Sequence, residues 1–312
     1  MEIRVLRYFL AIAREESISG AATFLHITQP TLSRQIIELE EELGVKLLVR
    51  GNRKITLTNE GKLLHKRAEE IISLVDKVEL EFDNPNEIIS GDIYIGGGET
   101  EAMRLIARTA HNFHQKYPNV KYHLFSGNAD DVTEKLDKGL LDFGILIEPA
   151  NIQKYDYTQI PATDVWGLLM RKDSTLASQN TINPKDLCNI PLIISRQTLV
   201  DKAISKWLQD STEKLNIVAT YNLVYNASLL VEEGLGYALC LDRLVNTTEN
   251  SNLCFRPLSP PLEAKLNIIW KKHQIFSKAA EKFLLQIQKD FSSILLDTSE
   301  LDISKLNTPE VK

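Results

Sequence analysis

Cysteine is scarce in this sequence: Cys188, Cys240 and Cys254 are the only three, an odd and widely spaced set. They suggest no disulfide framework, and a reducing cytoplasm is the expected compartment. Long apolar runs are missing too, since none reaches the roughly 18 residues of a membrane span. The first apolar stretch, Tyr8-Phe9-Leu10-Ala11-Ile12-Ala13, is closed by Arg14-Glu15-Glu16. It is too short and too tightly bounded by charge for a secretory signal. With 43% apolar and 25% charged residues, the composition is globular and excludes disordered, fibrous and collagen-like chains. At roughly 100–200 residues per domain, 312 residues make two or three domains.

Charge is in only slight excess, but it is uneven. The chain carries −6 overall, yet residues 1–66 hold ten Lys and Arg against eight Asp and Glu. A small basic module on an acidic body suits a nucleic-acid partner, provided the basic residues are well placed.

The placement begins with three apolar helical patterns. Leu6, Phe9, Leu10 and Ala13 form one face of a first helix, and Ile18, Ala21, Ala22 and Leu25 one face of a second, capped by Ser17. A third starts at Thr28-Gln29-Pro30-Thr31 and buries Leu32, Ile36, Leu39 and Leu43. Its other side presents Gln29, Pro30, Ser33 and Arg34, with Thr31 beside them. Two short helices with a tight turn, the second polar at its start, describe a helix-turn-helix. Gln can pair with adenine and Arg with guanine, while Ser and Thr reach phosphates or base edges. Gly51-Asn52 then reads as a two-residue hairpin signal, with Arg50, Arg53 and Lys54 clustered at its tip as a basic wing for the DNA backbone or minor groove. A three-helix packing unit with a solvated hairpin would share the apolar spacing.

Ala21-Ala22, Thr28 through Ile36, Leu39-Glu40 and Leu43-Gly44, then Leu47-Leu48-Val49-Arg50 and Leu57-Thr58-Asn59-Glu60-Gly61, resemble the LysR-type transcriptional regulator signature over about 60 residues. Leu48 stands where Phe is usual and Glu60 where Ala is usual. Neither departure alters a DNA-facing position. The resemblance implies that Gln29, Pro30, Thr31, Ser33 and Arg34 enter the major groove and that Arg53 reaches the minor groove.

From Gly61 to Asn84-Pro85-Asn86 the chain is helical in pattern. Leu64, Ala68, Ile71, Val75, Val78 and Phe82 form a heptad seam in steps of four and three. Pairing of two chains is expected, because a two-fold dimer matches two half-sites. A helix packed on its own domain is the alternative. The resemblance implies paired linker helices and a homodimer or homotetramer.

From Ser90 the period alternates between strand and helix, an α/β pattern with mostly parallel sheets. The LysR resemblance implies two lobes like those of a periplasmic binding protein, with crossings near Ile160–Asp164 and Lys265–Ile268. The expected organisation is a winged helix-turn-helix over 1–58, a linker helix over 59–89 and an effector domain over 90–295. Lobe I comprises about 90–161 and 268–295, lobe II about 162–267, and a polar tail over 296–312 is expected to fray.

Ligands in such sheets sit beyond strand C-termini, where helix N-termini converge. Gly97, Gly98, Glu99 and Thr100, then Ser126, Gly127 and Asn128, then Ser195 and Arg196, and finally Tyr225 and Asn226 occupy such places. Glycine admits a ligand to the backbone, and hydroxyl and amide groups supply hydrogen bonds. A small-molecule effector is expected there, with an organic acid as its class. Ordinary loop and cap chemistry would use the same residue types.

Other motifs are weaker. Gly96-Gly97-Gly98 lacks the G-x-G-x-x-G spacing of a dinucleotide loop, so no cofactor is expected. His111 and His114 have no third metal ligand at suitable spacing, and no nucleophile–base pair can be read. The expected function is an effector-responsive, DNA-binding transcriptional regulator rather than an enzyme. Double-stranded DNA is its partner, and RNA polymerase is left open as a further one. The alternative is an α/β solute-binding or small-molecule enzyme domain whose N-terminal helices serve assembly.

Overall fold

The computed structural model describes residues 1–51, 54–82, 89–148, 150–196, 202–208 and 215–306. The side chains of Arg50, of residues 80–82, 202–203 and 296–306 lie outside the described set. The chain divides into two compact units, Met1–Pro85 and Asn86–Lys312. Among the described residues no helix is long and apolar enough to cross a membrane.

The first unit contains α1 (Ile3–Glu15), α2 (Ile18–Phe24), α3 (Gln29–Leu43), β1 (Leu48–Arg50), β2 (Ile55–Leu57) and α4 (Asn59–Phe82). Phe9, Ile12, Ala21, Leu32, Ile36, Leu39 and Leu47 form its core. Ser17 caps α2 by accepting from the Gly20 N–H, and Thr28 caps α3 by accepting from Thr31. Gly44 ends α3 in the left-handed region (φ 68°). Glu40, buried on α3, accepts from the backbone N–H groups of Leu47 (2.9 Å) and Leu48 (3.2 Å) and from Lys46 (2.6 Å). Burial works to raise its pKa, but Lys46 and the two amides prevail and hold the carboxyl below its ordinary range. That carboxylate anchors the wing to the helix carrying the polar face. The Thr58 hydroxyl accepts from the Gly61 N–H and donates to the Lys46 carbonyl. At Gly61 a Cβ would lie 2.1 Å from the Leu47 carbonyl oxygen, so only glycine allows α4 this close to the wing.

The wing strands pair from Leu48↔Leu57 to Arg50↔Ile55. Beyond that pair Gly51 N–H donates to the Lys54 carbonyl at 3.1 Å, and Asn52 of the expected two-residue turn lies outside the described residues.

The second unit carries one sheet in the order β4-β3-β5-β11-β6-β9-β7-β8, with β10 on β6. Its strands are β3 (Gly91–Gly97), β4 (Val120–Ser126), β5 (Phe143–Ile147), β6 (Tyr155–Arg171), β7 (Pro191–Ser195), β8 (Asn216–Tyr221), β9 (Tyr237–Leu241), β10 (Leu253–Pro257) and β11 (Glu263–Lys271). Its helices are α5 (Met103–Lys116), α6 (Ala129–Asp137), α7 (Lys202–Leu208), α8 (Val224–Glu232) and α9 (Lys278–Leu306).

The expectation of mostly parallel sheets is corrected. Four pairings are parallel and four antiparallel. The antiparallel ones all involve β6 or β11, the two strands that pass from one core to the other. Ile160 on β6 joins the core of Ile93, Phe143 and Phe283, and Leu168 joins that of Leu192, Ile194 and Trp207. On β11, Ile268 and Ala264 divide in the same way. Pro161 within β6 is tolerated because the β6/β11 register shifts between Lys265 and Asn267, which leaves Pro161 opposite the irregularity.

The stretch expected to fray begins inside α9, which continues to Leu306. Once a helix is nucleated, extension costs little, and the first proline beyond Phe291 is Pro309.

Candidate nucleic-acid interface and cleft

The turn from α2 to α3 puts the start of α3 at the surface. Gln29, Pro30, Thr31 and Arg34 are exposed and Ser33 half-buried, while Leu32, Ile36 and Leu39 hold the helix from behind. Gln29, Pro30, Ser33 and Arg34 line a common surface groove with Ile37, Glu38 and Glu41. Thr31 lies beside it, its hydroxyl 2.7 Å from that of Thr28. The Arg34 Nε donates to Glu38 at 2.8 Å, and Gln35 donates to the other Glu38 oxygen at 2.8 Å. Arg34 is 81% exposed, so this ion pair is weak and readily exchanged for another acceptor. Lys54 pairs with Glu16 at 3.1 Å, and Ile55 N–H donates to the Glu16 carbonyl at 2.8 Å, which ties the wing to α1. Arg53 and the side chain of Arg50 lie outside the described residues.

The expected seam on α4 divides. Ala68 is fully buried, and Leu64 packs against the core of its own unit. Arg7 on α1 pairs with Asp76 (2.7 Å) and Glu79 (3.4 Å), holding the two helices together. Leu64 and Ala68 are therefore used within the chain, a correction to the seam. Val78 and Leu74 are exposed, Ile71 and Val75 half-buried, and the Phe82 side chain lies outside the described residues.

In the second unit two cavities, of about 70 and 280 Å³, share Gly98, Glu99 and Leu244 in their walls. Between them they take in Gly97, Gly98, Glu99, Thr100, Ser126, Gly127, Asn128 and Ser195. Arg196, Tyr225 and Asn226 are exposed and lie outside the linings. Arg196 follows β7, whereas Tyr225 and Asn226 stand within the first turn of α8 and not in a loop before it. The sequence reading missed Ile147, Glu148, Trp166, Tyr221, Asn222, Val224, Leu241 and Leu244.

Several of the polar groups are already engaged. Thr100 is buried, donates to Asp164 and accepts from the Ala102 N–H at 3.0 Å. Asn128 caps α6 by accepting from the Asp131 N–H at 2.9 Å. Tyr221 donates its hydroxyl to the Leu239 carbonyl at 2.8 Å. The Glu99 carboxylate, on the loop after β3, accepts the backbone N–H of Val224, the first residue of α8. It thereby spans the cleft. Asp164, buried on the crossing strand, has its carboxyl pushed up, first by burial and then by the charge of Asp242, against the lowering effect of Thr100.

Residues 3–62 match the family model of the bacterial regulatory helix-turn-helix protein, lysR family, and residues 87–292 that of the LysR substrate binding domain. This chain belongs to the LysR family of transcriptional regulators. It is 30% identical to the HTH-type transcriptional regulator YvbU of Bacillus subtilis over 240 residues, 77% of this chain and 81% of that one. It is 27% identical to the Hca operon transcriptional activator HcaR of Escherichia coli over 300 residues, 94% of this chain and 99% of that one. In fold it is similar to CbnR, a LysR family transcriptional regulator, with a TM-score of 0.74 at 20% identity, covering 93% of this chain and 99% of that one.

His111 contacts Gln115, His114 contacts the Val120 carbonyl, and no metal-holding group occurs among the described residues. Cys240 is buried, and burial pushes its thiol pKa up to about 12. A thiol held neutral is a poor nucleophile and a poor oxidant sensor.

Proposed function

We propose that this LysR-family regulator binds a partly palindromic DNA site as a homodimer or homotetramer in the cytoplasm, and that a small molecule in the cleft alters its grip. The observation that carries the DNA reading is the exposed polar start of α3, held by the Thr28 cap over buried Leu32, Ile36 and Leu39, while Leu43 at the far end of the expected buried side is exposed. Gln29, Pro30, Thr31, Ser33 and Arg34 read bases and nearby phosphates in the major groove. Arg50, Arg53 and Lys54 form the wing, with Arg53 in the minor groove. Pairing of chains uses the outer part of the α4 seam, Ile71, Val75, Val78 and Phe82, while Leu64 and Ala68 fix α4 to its own unit.

We divide the protein into a DNA-binding region over 1–58, a linker over 59–89 and an effector region over 90–295, whose lobes (about 90–161 with 268–295, and about 162–267) meet at the cleft. A ligand there acts only insofar as it binds one assembly geometry more tightly than another. Contact with RNA polymerase is a natural consequence for a regulator bound beside a promoter.

The test is a footprint and affinity titration on the DNA upstream of the protein's own gene, at two salt concentrations. Spaced protected half-sites, with affinity falling steeply as salt rises, support the reading. Failure of well-folded protein to bind at either salt concentration rejects it in favour of a solute-binding domain.

A further inference from the structure

The charge of the cleft says more about its ligand than its position does. Sequence patterning favours an organic acid, because backbone N–H groups at helix N-termini attract anions. Here the start of α8 is already served by an anion built into the chain. Glu99, from the loop after β3, places its carboxylate on the Val224 N–H across the cleft. A second carboxylate, Glu148, follows β5 and lines the same cavity, with its Oε1 accepting from Asn267 at 2.6 Å. No Lys, Arg or His is among the described residues lining either cavity. The basic residues next in sequence to the lining are Arg104, held by Glu101 at 2.5 Å, His123, 3.4 Å from Asp92, Arg196, which is exposed, and Arg243, whose Nε is held by Asp242 at 2.8 Å. Trp166, Tyr221, Ile147 and Leu241 supply apolar and aromatic wall, and Tyr221, with its hydroxyl committed, offers its ring.

An acid entering this space would put a third negative charge beside two carboxylates, with no cation among the described lining residues to offset it, which disfavours its ionised form. A cation meets two carboxylates and two aromatic side chains in the wall, both favourable. We propose that the cleft takes a small molecule carrying a positive charge, an amine or amidine on an apolar or aromatic frame, with Glu99 and Glu148 as its charge partners. This rests on the reading of the cleft as the effector site. It also assigns Glu99 two roles, spanning the cleft through α8 and meeting the ligand.

Matched probes of opposite charge test it on the full-length protein: benzylamine against benzoate, and 1,4-diaminobutane against succinate, by thermal shift and calorimetry. The amine of each pair is expected to bind at least tenfold more tightly than the acid. Replacing both carboxylates, Glu99→Gln with Glu148→Gln, is expected to weaken the amine at least tenfold and to narrow or reverse the preference. Gly98→Leu fills the cleft and is expected to abolish binding. Ile147→Trp blocks the same space from another strand if the first variant does not fold. Tighter binding of the acids, lost in the blocked variants, overturns the charge assignment and leaves the cleft as the site. Binding that survives both blocks overturns the cleft reading itself. Binding of neither class at millimolar concentration, by protein that still binds DNA, overturns the proposal.

Discussion

The helix-turn-helix unit and the α/β unit each bury a carboxylate in a structural role, and their surroundings are opposite. Glu40 accepts two backbone amides and an ammonium, and its pKa falls. Asp164 accepts the Thr100 hydroxyl, its other oxygen has no partner among the described residues, and its pKa rises. In the first unit the charge fixes a wing to a helix, a rigid arrangement suited to reading DNA. In the second, Asp164 receives one side-chain donor on the strand that passes between two cores. The two units are thus divided by the number of donors offered to a buried carboxylate, three against one, and by the sign of the pKa shift that follows.

The strongest test of this division is to break one core. Phe9 is fully buried, and Phe9→Ala should cost about 3–5 kcal/mol. Calorimetry should show the transition of the helix-turn-helix unit move down while that of the α/β unit stays in place. A single shared transition would show that the units unfold together. Glu40→Gln comes next, with an expected loss of about 1.5–3 kcal/mol as the charge-assisted bonds weaken. Because the folded pKa of Glu40 is depressed, its contribution is present above its unfolded pKa and is lost as pH falls through the folded one. Acid titration of the variant should lack that loss.

Arg34→Ala should weaken operator binding by about 1–3 kcal/mol and relax selectivity at one base pair, as read by competition with mutated sites. Retention of full operator affinity would move the recognition face elsewhere. Asp164→Asn sharpens the comparison with Glu40 through its sign. A raised folded pKa means that the stabilising contribution is present below the unfolded pKa and lost as pH rises through the folded one. The substitution should therefore stabilise the α/β unit at neutral pH and leave acid stability little changed, as read by thermal unfolding at the two pH values. The smallest effect is expected from Glu38→Gln. Freeing Arg34 from an exposed pair should tighten non-specific DNA binding by under about 1 kcal/mol, measured on scrambled duplex.

The two sites also differ in how far they could be read in advance. The proposed DNA face lies on one helix within six residues, from Gln29 to Arg34, so helical period and cap chemistry point to it without reference to anything distant. The cleft draws on β3, β4, β5, β6, β7, β8 and β9 and on residues that follow them. The rule that ligands sit beyond strand C-termini located Glu99, Asn128 and Ser195, and applied once more at Ile147-Glu148 it would have reached Glu148. It could not reach Trp166, which lies inside the crossing strand β6. It also placed Tyr225 and Asn226 in the cleft because they precede the main run of α8, although the helix begins at Val224 and exposes both. The seam on α4 was visible as a period of seven, but the same period serves a partner chain or the helix's own domain. Only the packing of Ala68 and Leu64 separated the two.

By itself the sequence determined the order of the helices, the capped start of α3 and the α/β alternation, because caps, turns and periods are local properties of the chain. The tertiary structure alone decided that β6 and β11 cross between two cores, that Thr100 is spent on Asp164, and that Glu99 sits on α8. Those pairings join residues 64 and 125 positions apart, and no local rule of spacing specifies which distant donor a carboxylate will meet.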